Sequence, residues 1–499
     1  MTNKHSNFDV VIVGGGGSGL AAAIEAANAG AHVTLLERGS TLRGSTGMSV
    51  GSITSSQTDL QVRAGVTDTT DEHYADMEVL AQTRNAPDNL ELRHILIDEV
   101  PDAVRWLTSM GIIFFGPLPE PPHKKPRMHN VLPSSRAYIY YLSRECRRLG
   151  VNFVLNARVT SLISENGKVV GVSAKVNGTE QIFRAKKGVI LASGDYNGGG
   201  ILRKTLGGID DSIIGMNTNS GDGQDMGVSA GSEVLNGHVL RGPLLRLRPK
   251  SRSHPIEKLP PWRWLAYFLR FSLEHLPPWL LRPFIMSFVT SWISPDKNLY
   301  RQGAILVNRQ GMRFTEEMGA PARDVSAQTE QSAFIVMGAE VVKKFQRWPY
   351  FVSTAPGVAY AYLQDYRRTR KDVFFEADSL DQLAHMIGID PKRLRETITD
   401  YNSKLATGQL KDRANDIAPI HLPPFCALGP VESFIIITDG GLRVNAQHEV
   451  LRSDQTVIEG LYAVGSAGQG GLLLEGHGHH LAWAFVSGRR AGRFAGSRR

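Results

Sequence analysis

Four ionisable side chains stand close together near the end of the chain, Glu475, His477, His479 and His480. Histidine exchanges protons near neutral pH, and a carboxylate does so when burial raises its pKa. The segment therefore predicts a general acid or base, although the same side chains could merely contact a ligand or solvent. No metal site is predicted, because neither a further acid nor a cysteine has the spacing of metal ligands.

The opening of the chain has the order of elements needed to position a phosphate-bearing ligand. The apolar, β-branched run Phe8–Val13 predicts a buried strand. A glycine-rich loop follows at 14–19, then an alanine-rich helix at 20–29, then a second strand that ends at Glu37. Strand, loop, helix, strand and acid in this order predict a dinucleotide-binding unit.

Each glycine of this loop has a mechanical role. Gly14 permits the sharp turn, Gly16 lets the backbone approach a pyrophosphate, and Gly19 lets helix and strand pack closely. The helix N-terminus offers free N–H groups to the phosphates, and Glu37 can accept the hydroxyls of a ribose. The predicted cofactor contacts of this unit are Gly14, Gly16, Gly17, Ser18, Gly19, Glu37 and Arg38.

Length and composition indicate a globular protein with two cores. The chain has 499 residues, which is enough for two domains. Cys146 and Cys426 are in no paired motif, so we expect reduced, buried thiols in a cytoplasmic protein. The first eight residues lack the apolar core of a signal peptide.

The formal charge of +8 is concentrated in one stretch. No nucleic-acid-binding module is evident, so we expect no nucleic-acid partner. The stretch is also rich in tryptophan, a pairing that favours an anionic membrane surface over a polynucleotide. Its cations are Arg241, Arg246, Arg248, Lys250, Arg252, Lys258, Arg263 and Arg270.

The segment that follows the phosphate loop resembles the flavin loop of the succinate dehydrogenase/fumarate reductase flavoprotein family, which includes the 3-ketosteroid dehydrogenases. This loop, rich in glycine and hydroxyl groups, is Leu42–Gly51. Other family segments follow in order, although Asp195 departs from the usual glycine and Ser220 from the usual threonine. They are Val151–Val159, Val189–Asn197, Thr218–Gly223, Gly303–Phe314, Thr438–Gly441, Gly460–Gly465 and Gly488–Gly492.

The resemblance implies an α/β fold and non-covalent FAD. A Rossmann-like FAD-binding domain, split between residues 1–240 and 425–499, would carry an inserted α+β cap or substrate domain at 241–424. The helix starting near Leu481 would direct its N-terminal N–H groups at the N1/O2 edge of the flavin. The further cofactor contacts that the resemblance implies are Ser45, Thr46, Ser49, Gly51, Val159, Gly194, Asp222, Gly465, Ser466 and Leu481.

Substrate preference follows from two aligned positions. The fumarate reductases hold a dicarboxylate with a histidine and an arginine, which align here with Ile437 and Glu475. An apolar residue and an anion disfavour a dicarboxylate. The ketosteroid dehydrogenases grip a ketone with a tyrosine and a glycine before the last helix, and of these Gly478 remains as an N–H donor.

A cap-domain arginine transfers the substrate proton in the fumarate reductases. The corresponding pair here is Arg323–Asp324, after the hairpin Arg313–Glu317. An arginine beside an aspartate can relay a proton, and an ordinary ion pair on a cap helix is the alternative. The predicted catalytic residues are therefore Arg323, Glu475, His477 and Gly478.

An apolar aromatic insert at 260–294 contains four of the seven tryptophans. Arg263, Tyr267, Arg270 and Glu274 recur at helical spacing and predict a helix with one narrow polar stripe. Three alternatives remain open: a helix buried in the cap or in a dimer interface, a helix pair resting on a membrane, and a transmembrane span.

The sequence thus predicts an FAD-dependent dehydrogenase or reductase of a C–C bond next to a carbonyl. The substrate would be largely apolar, and cyclic or steroid-like. No second glycine fingerprint follows a strand, so no nicotinamide domain is evident, and the electron acceptor would be a quinone, a dye-like acceptor or a redox protein. The rivals are a reductase of an acidic substrate and a membrane-docked electron-transfer flavoprotein, and the location would be cytoplasmic, including the inner face of a membrane.

Overall fold

The computed structural model describes residues 5–248, 259–355, 359–410, 413 and 417–498. Three cations of the basic stretch, Lys250, Arg252 and Lys258, lie outside the described residues. The strands are β1 His5–Val13, β2 Val33–Leu36, β3 Ser52–Thr54, β4 Ile113–Leu118, β5 Met128–Leu132, β6 Asn152–Val154, β7 Ala157–Glu165, β8 Lys168–Val176, β9 Thr179–Leu191, β10 Ile214–Gly215, β11 Val234–Leu235, β12 Leu240–Arg241, β13 Leu244–Leu247, β14 Ile305–Asn308, β15 Ser332–Met337, β16 Ser353–Ala355, β17 Ala359–Ala361, β18 Phe374–Ala377, β19 Phe425–Ile435, β20 Ile437–Thr438, β21 Gly441–Leu442, β22 Glu449–Leu451 and β23 Val457–Ala463.

Helices connect many of these strands. In chain order they are α1 Gly17–Asn28, α2 Asp59–Arg63, α3 Thr70–Ala81, α4 Leu90–Ser109, α5 Arg136–Arg148, α6 Ile201–Thr205, α7 Asp222–Ser229, α8 Arg263–His275, α9 Pro278–Trp292, α10 Asn298–Arg301, α11 Pro321–Ser326, α12 Ala339–Lys344, α13 Leu363–Thr369, α14 Leu380–Ile387, α15 Pro391–Ala406 and α16 His479–Ser497.

The main sheet has eight strands and a parallel centre. Its order is β22-β23-β9-β1-β2-β6, with β8 and β7 added beside β9. β1 pairs in parallel with both β2 and β9, and its residues Val10–Val13 are buried in the same core as the apolar residues of α1. The predicted strand–loop–helix–strand unit is therefore confirmed, with the glycine loop at the carboxyl end of the central strand.

The first and last helices of the chain pack side by side through glycine. A side chain at Gly488 would meet the Ser18 carbonyl oxygen at 2.3 Å, and one at Gly492 would meet the Ala22 carbonyl oxygen at 2.4 Å. Equal spacing on the two helices shows that α1 and α16 run parallel. This contact joins the two ends of the chain into one FAD-binding unit.

A second sheet forms between the two halves of that unit. Its order is β10-β19-β15-β14, and β13 and β18 also pair with β19. A separate apolar core, containing Leu306, Ile335 and Leu428, lies against this sheet. Since β19 belongs to this sheet and not to the main one, we place the proposed C-terminal domain boundary after residue 435 instead of at 425.

The aromatic insert forms two consecutive helices, α8 and α9. No helix among the described residues is long and apolar enough to cross a membrane. In α8 the buried residues are the small Ala266 and Ser272, whereas Trp264 and Phe268 are exposed. The Trp264 and Phe268 side chains of α8 are therefore not packed into the cap of their own chain.

Both cysteines are free and buried, as predicted. The Cys146 thiol lies 3.6 Å from the carbonyl oxygen of Leu20, and Cys426 lies in β19. Burial raises the pKa of both thiols, so they remain protonated and act as small apolar residues.

His448 is an uncompensated polar group in the core of the FAD-binding unit. Its ring lies 5.2 Å from the Trp483 ring, and neither ring nitrogen has a hydrogen-bond partner among the described residues. Burial, reinforced by the charge of Arg490, lowers the pKa of His448 to about 3. The folded protein therefore holds this histidine neutral, whereas the unfolded chain protonates it near its usual pKa of about 6.5.

This difference predicts acid sensitivity. Below about pH 6.5 the unfolded state binds one more proton at His448, so the free energy of unfolding should fall by about 1.4 kcal/mol per pH unit. Thermal unfolding of the FAD-loaded protein between neutral and mildly acidic pH measures this slope. His448→Leu should make the slope shallower, and the matched change at the exposed His421 should not. An unchanged slope in His448→Leu would contradict this account.

Candidate active site

The phosphate loop has the shape of a cradle for a pyrophosphate. Gly14 has φ +112°, a conformation open to glycine, and a side chain there would lie 2.4 Å from the Ala192 carbonyl oxygen. At Gly16 an added Cβ would meet only the Gly44 Cα, at 3.8 Å. Protein packing therefore excludes a side chain at Gly14, but it leaves the space in front of Gly16 for a ligand.

Free donors face this space. The N–H of Gly17 donates to the Thr46 hydroxyl at 3.1 Å. In the described part of the chain, the N–H groups of Gly16, Ser18 and Gly19 have no acceptor. Unpaired N–H groups at a helix N-terminus are the usual binding site of a phosphate, so the predicted loop fits a dinucleotide.

The adenosine end is organised by Glu37 and Arg38. The Glu37 carboxylate accepts the N–H groups of Gly15 at 2.8 Å and Gly39 at 2.7 Å, which fix it at the end of β2. Arg38 donates to the Thr218 carbonyl at 2.6 Å. The guanidinium of Arg158 lies 3.2 Å from the carboxylate of Asp222, a predicted cofactor contact. Val159, another predicted contact, is the next residue of β7. Residues that are distant in sequence therefore meet here.

A buried carboxylate, that of Asp195, connects the flavin loop with the turn that follows β9 and contains Gly194. Asn217 and Asn219 donate to the Ser45 hydroxyl at 2.9 and 3.1 Å, and both amides also donate to Asp195, at 3.0 and 2.9 Å. Burial raises the pKa of Asp195 against the opposing effect of these donors. The departure from the family pattern at Asp195 thus has a structural role, and the turn at Gly194 lies against Asn219.

The remaining predicted contacts lie on the same loop and on the closing segment. The Ser49 hydroxyl donates to the Thr46 carbonyl at 2.8 Å, and Gly51 accepts from the Tyr138 hydroxyl at 2.9 Å. The N–H of Gly465 donates to Ser487 at 2.9 Å, beside the turn that carries Ser466. Leu481 is half-buried in the first turn of α16.

The N-terminus of α16 provides a second set of free donors. Gly478 caps this helix with φ +87°, and a side chain there would lie 2.6 Å from the Thr54 nitrogen. Among the described residues the N–H groups of positions 478–481 have no acceptor. Because Gly488 lies against Ser18, α16 begins about 12 Å beyond α1 at 1.5 Å per residue. The two helix ends are thus spaced for an extended ligand with a pyrophosphate and a second electron-rich group, which fits FAD.

Glu475 is enclosed by two arginines that the sequence did not reveal. Arg84 donates to its carboxylate at 2.6 Å, and Arg241 lies 3.5 Å away. Arg241 also donates to the carbonyls of Leu474 at 2.7 Å and Gly476 at 3.1 Å. These contacts fix the loop before α16, and the role of Glu475 as a general base stays a prediction.

His477 forms a pair with Glu120. Its Nδ1 and its backbone N–H both contact Glu120 Oε1, the latter at 2.7 Å, while more than half of the side chain is exposed. Burial would raise the pKa of Glu120, but the hydrogen bonds and charge of His477 outweigh it and lower the pKa. The backbone carbonyl of His477 accepts from Thr54 at 2.6 Å. A fixed imidazole beside Gly478 results, with its Nε2 directed away from Glu120.

The other two histidines are committed to contacts inside the protein. His479 Nε2 lies 3.2 Å from His73 Nε2, and its Nδ1 lies 2.5 Å from the Glu475 carbonyl oxygen. Burial lowers the pKa of His479 to about 3, so it is neutral. His480 Nε2 lies 2.7 Å from the buried carboxylate of Asp439. Of these three histidine side chains, that of His477 is the most exposed.

Arg323 lies on α11, which packs against β19. Its side chain is exposed, and it has no hydrogen bond or ion pair with any described residue. Asp324 accepts a hydrogen bond from Thr315 instead. Neighbouring positions on a helix point in different directions, which explains why Arg323 and Asp324 do not pair here.

The partners of these groups were missed because they are remote in sequence. The loop between β4 and β5 is rich in proline and carries both Glu120 and His123. Five prolines between positions 117 and 126 were the one available signal of a fixed loop, since proline restricts the backbone. Nothing in the sequence indicated Arg84, and no group of three or more histidines, cysteines or acids able to hold a metal occurs among the described residues.

The FAD binding domain family matches residues 9–254 and 281–473, most of the chain. The chain belongs to this family, and within it to the flavoproteins of the succinate dehydrogenase/fumarate reductase type. As a member of this family the chain binds FAD. The predicted family, fold class and cofactor are thereby confirmed.

Two curated relatives are reductases. The chain is 26% identical to NADH:acrylate oxidoreductase of Vibrio harveyi, over 98% of this chain and 50% of that protein. It is also 26% identical to fumarate reductase (cytochrome) of Shewanella frigidimarina, over 92% of this chain and 72% of that protein. The chain thus spans half the length of the first relative.

Two solved structures share the fold. One is the open conformation of a flavocytochrome c3 fumarate reductase, with TM-score 0.72, 22% identity, and 99% of this chain and 78% of that chain covered. The other is 3-ketosteroid Δ1-dehydrogenase from Sterolibacterium denitrificans, with TM-score 0.65, 18% identity, and 99% and 100% covered.

Gly16 offers a test of the cofactor site that separates binding from folding. The space in front of Gly16 is free of protein atoms, so Gly16→Val should fold but lose FAD, because the added methyl groups occupy the position of the pyrophosphate. The flavin absorbance of the purified protein and its thermal unfolding measure the two effects. Gly30→Ala, where an added Cβ meets nothing within 4 Å, should keep the flavin. A folded Gly16→Val protein that retains one FAD per chain would refute the assignment.

Proposed function

We propose that this protein removes hydrogen from, or adds it to, a C–C bond next to the carbonyl of a largely apolar substrate, with a cyclic or steroid-like ketone as the best candidate. The observation that supports this most is the N–H of Gly478, which has no acceptor among the described residues, beside the exposed His477 ring that the buried Glu120 holds. A hydrogen-bond donor and a proton-exchanging side chain at adjacent positions are what such a reaction requires.

The groups of the chain have distinct roles in this proposal. Bound FAD, held non-covalently, supplies hydride exchange at N5. The N–H of Gly478 donates to the substrate carbonyl oxygen and stabilises the negative charge that develops there. The Arg84–Glu475–Arg241 ion pairs keep the loop before Gly478 in place.

His477 exchanges the proton of the neighbouring carbon. Glu120 holds the imidazole by its Nδ1, which leaves Nε2 for the substrate. Arg323 is the second candidate for this step, because its guanidinium is exposed on the cap and is not held by a carboxylate of the described chain.

The substrate class follows from the charges near this site. Ile437 offers no cation to a carboxylate, and both arginines near Glu475 already bind its carboxylate and backbone carbonyls. Moving a substrate carboxylate from water into a site without a free cation costs on the order of several kcal/mol of desolvation free energy. A reductase of an acidic substrate, the activity named for the two relatives, is the competing function. The electron acceptor is proposed to be a quinone or a redox protein.

Substrate turnover decides between these functions. In an anaerobic assay with a reduced dye, a cyclic enone should reoxidise the reduced flavin, and fumarate should not. In an anaerobic assay with oxidised enzyme, a saturated ketone should bleach the flavin, and succinate should not. The rate with fumarate and reduced dye is the reference with which the rate of each ketone is compared. Fumarate turnover equal to that of the best ketone would end the proposal, and absence of any flavin change with all substrates would favour a pure electron carrier.

The proton-exchanging residue can be identified by matched variants. His477→Gln should lower kcat by about two orders of magnitude with little change in KM, because the proton is exchanged only during the reaction. Glu120→Gln should lower kcat less, at unchanged FAD content, whereas the exposed His421→Gln serves as control. A large loss of kcat in Arg323→Ala with full activity in His477→Gln would assign the step to Arg323 and reject the role of His477.

A further inference from the structure

Helix α8 has its amphipathic faces reversed with respect to a core helix. The small residues Ala266 and Ser272 face the protein and are buried. Trp264, Phe268 and Phe271 face outward, and each is between 58% and 65% exposed. Their spacing of four and three residues places them on a single face of the helix.

Helix α9 extends this surface around the turn that joins the two helices. Its later residues Met286 and Val289 are buried in the core of the second sheet. At its beginning, however, Trp279 is 72% exposed and Leu280 is 50% exposed. The surface is called here the aromatic face, and it consists of Trp262, Trp264, Tyr267, Phe268, Phe271, Leu276, Trp279 and Leu280.

Such a surface requires a cover. Single exposed apolar residues are common, but a continuous group of large ones marks a binding surface. The arrangement is rigid, because α8 packs against β4 and β5, and Arg282 of α9 donates to Asp365 at 2.7 Å. The exposed side chains therefore project from an anchored helix pair.

Cations flank the aromatic face. Arg263 is exposed at the start of α8, and Arg144 is exposed on the neighbouring helix α5. Both arginines lie near Tyr141. Arg144 lies 4.9 Å from the centroid of the Tyr141 ring. Burial raises the pKa of Tyr141, and the charges of Arg144 and Arg263 act in the opposite direction. The acidic residue of α8, Glu274, is already paired with Arg270 at 2.7 Å. The rim of the aromatic face is thus positively charged.

We propose that the aromatic face docks on the surface of a lipid bilayer that contains anionic phospholipids, with α8 and the start of α9 lying in the plane of the interface. Tryptophan and tyrosine prefer the interfacial region, and flanking arginines bind the negative head groups. A second copy of the chain fits less well, because a twofold contact would bring the arginine rims of both copies together. This inference is independent of the substrate proposed above.

Vesicle binding of the FAD-loaded full chain tests the proposal. The probes are vesicles of phosphatidylcholine alone and of phosphatidylcholine mixed with phosphatidylglycerol, separated by flotation. The wild type should float with the mixed vesicles, less with the neutral ones, and less again at high salt. Trp264→Glu combined with Phe268→Glu should weaken binding at least about tenfold. Each change puts an anion in place of apolar area that the lipid would cover.

Matched controls keep the result interpretable. Ile201→Glu combined with Met386→Glu alters two exposed apolar residues outside the aromatic face and should bind like the wild type. Flavin absorbance and thermal unfolding verify that both double variants are folded. Failure of the wild type to float, or equal flotation of the Trp264/Phe268 variant, would overturn the proposal. So would a wild-type dimer that does not bind vesicles and that dissociates in the Trp264/Phe268 variant.

Discussion

The contact between the first and the last helix is the constraint on which the site depends. Gly488 and Gly492 bring α16 against the backbone of α1 so closely that no side chain fits between them. The parallel packing fixes the distance between the two helix N-termini, and the free N–H groups at each end therefore address two parts of one ligand. Because these helices come from opposite ends of the chain, the cofactor site exists only in the folded protein.

The same constraint determines the chemistry beside the flavin. The loop before α16 must end at Gly478, whose left-handed conformation and close contact with Thr54 exclude a side chain. Arg84 and Arg241 hold this loop through Glu475 and through its carbonyl groups. With the loop fixed, His477 meets Glu120, while His479 turns inward to His73. Burial then separates His479, which is neutral, from His477, whose side chain is exposed.

The aromatic face follows a different principle from the rest of the molecule. The hydrophobic cores elsewhere contain large apolar side chains, whereas in α8 the small residues take the buried positions. The composition of α8 is compatible with a core helix and with a lipid-facing helix. The direction in which its large side chains point distinguishes the two. Here they point away from the cap, next to exposed arginines.

The sequence by itself determined the family, the cofactor and the order of elements in the FAD-binding unit, because the glycine fingerprint and its strands are local patterns with strict spacing. It also predicted His477 and Gly478 as catalytic residues, since both precede a recognisable helix. Only the tertiary structure assigned partners, because Arg84, Glu120 and Arg241 approach the loop before α16 from distant segments and no local pattern encodes that contact. It also placed Glu475 between two arginines, because the cations that fold against a carboxylate come from distant segments.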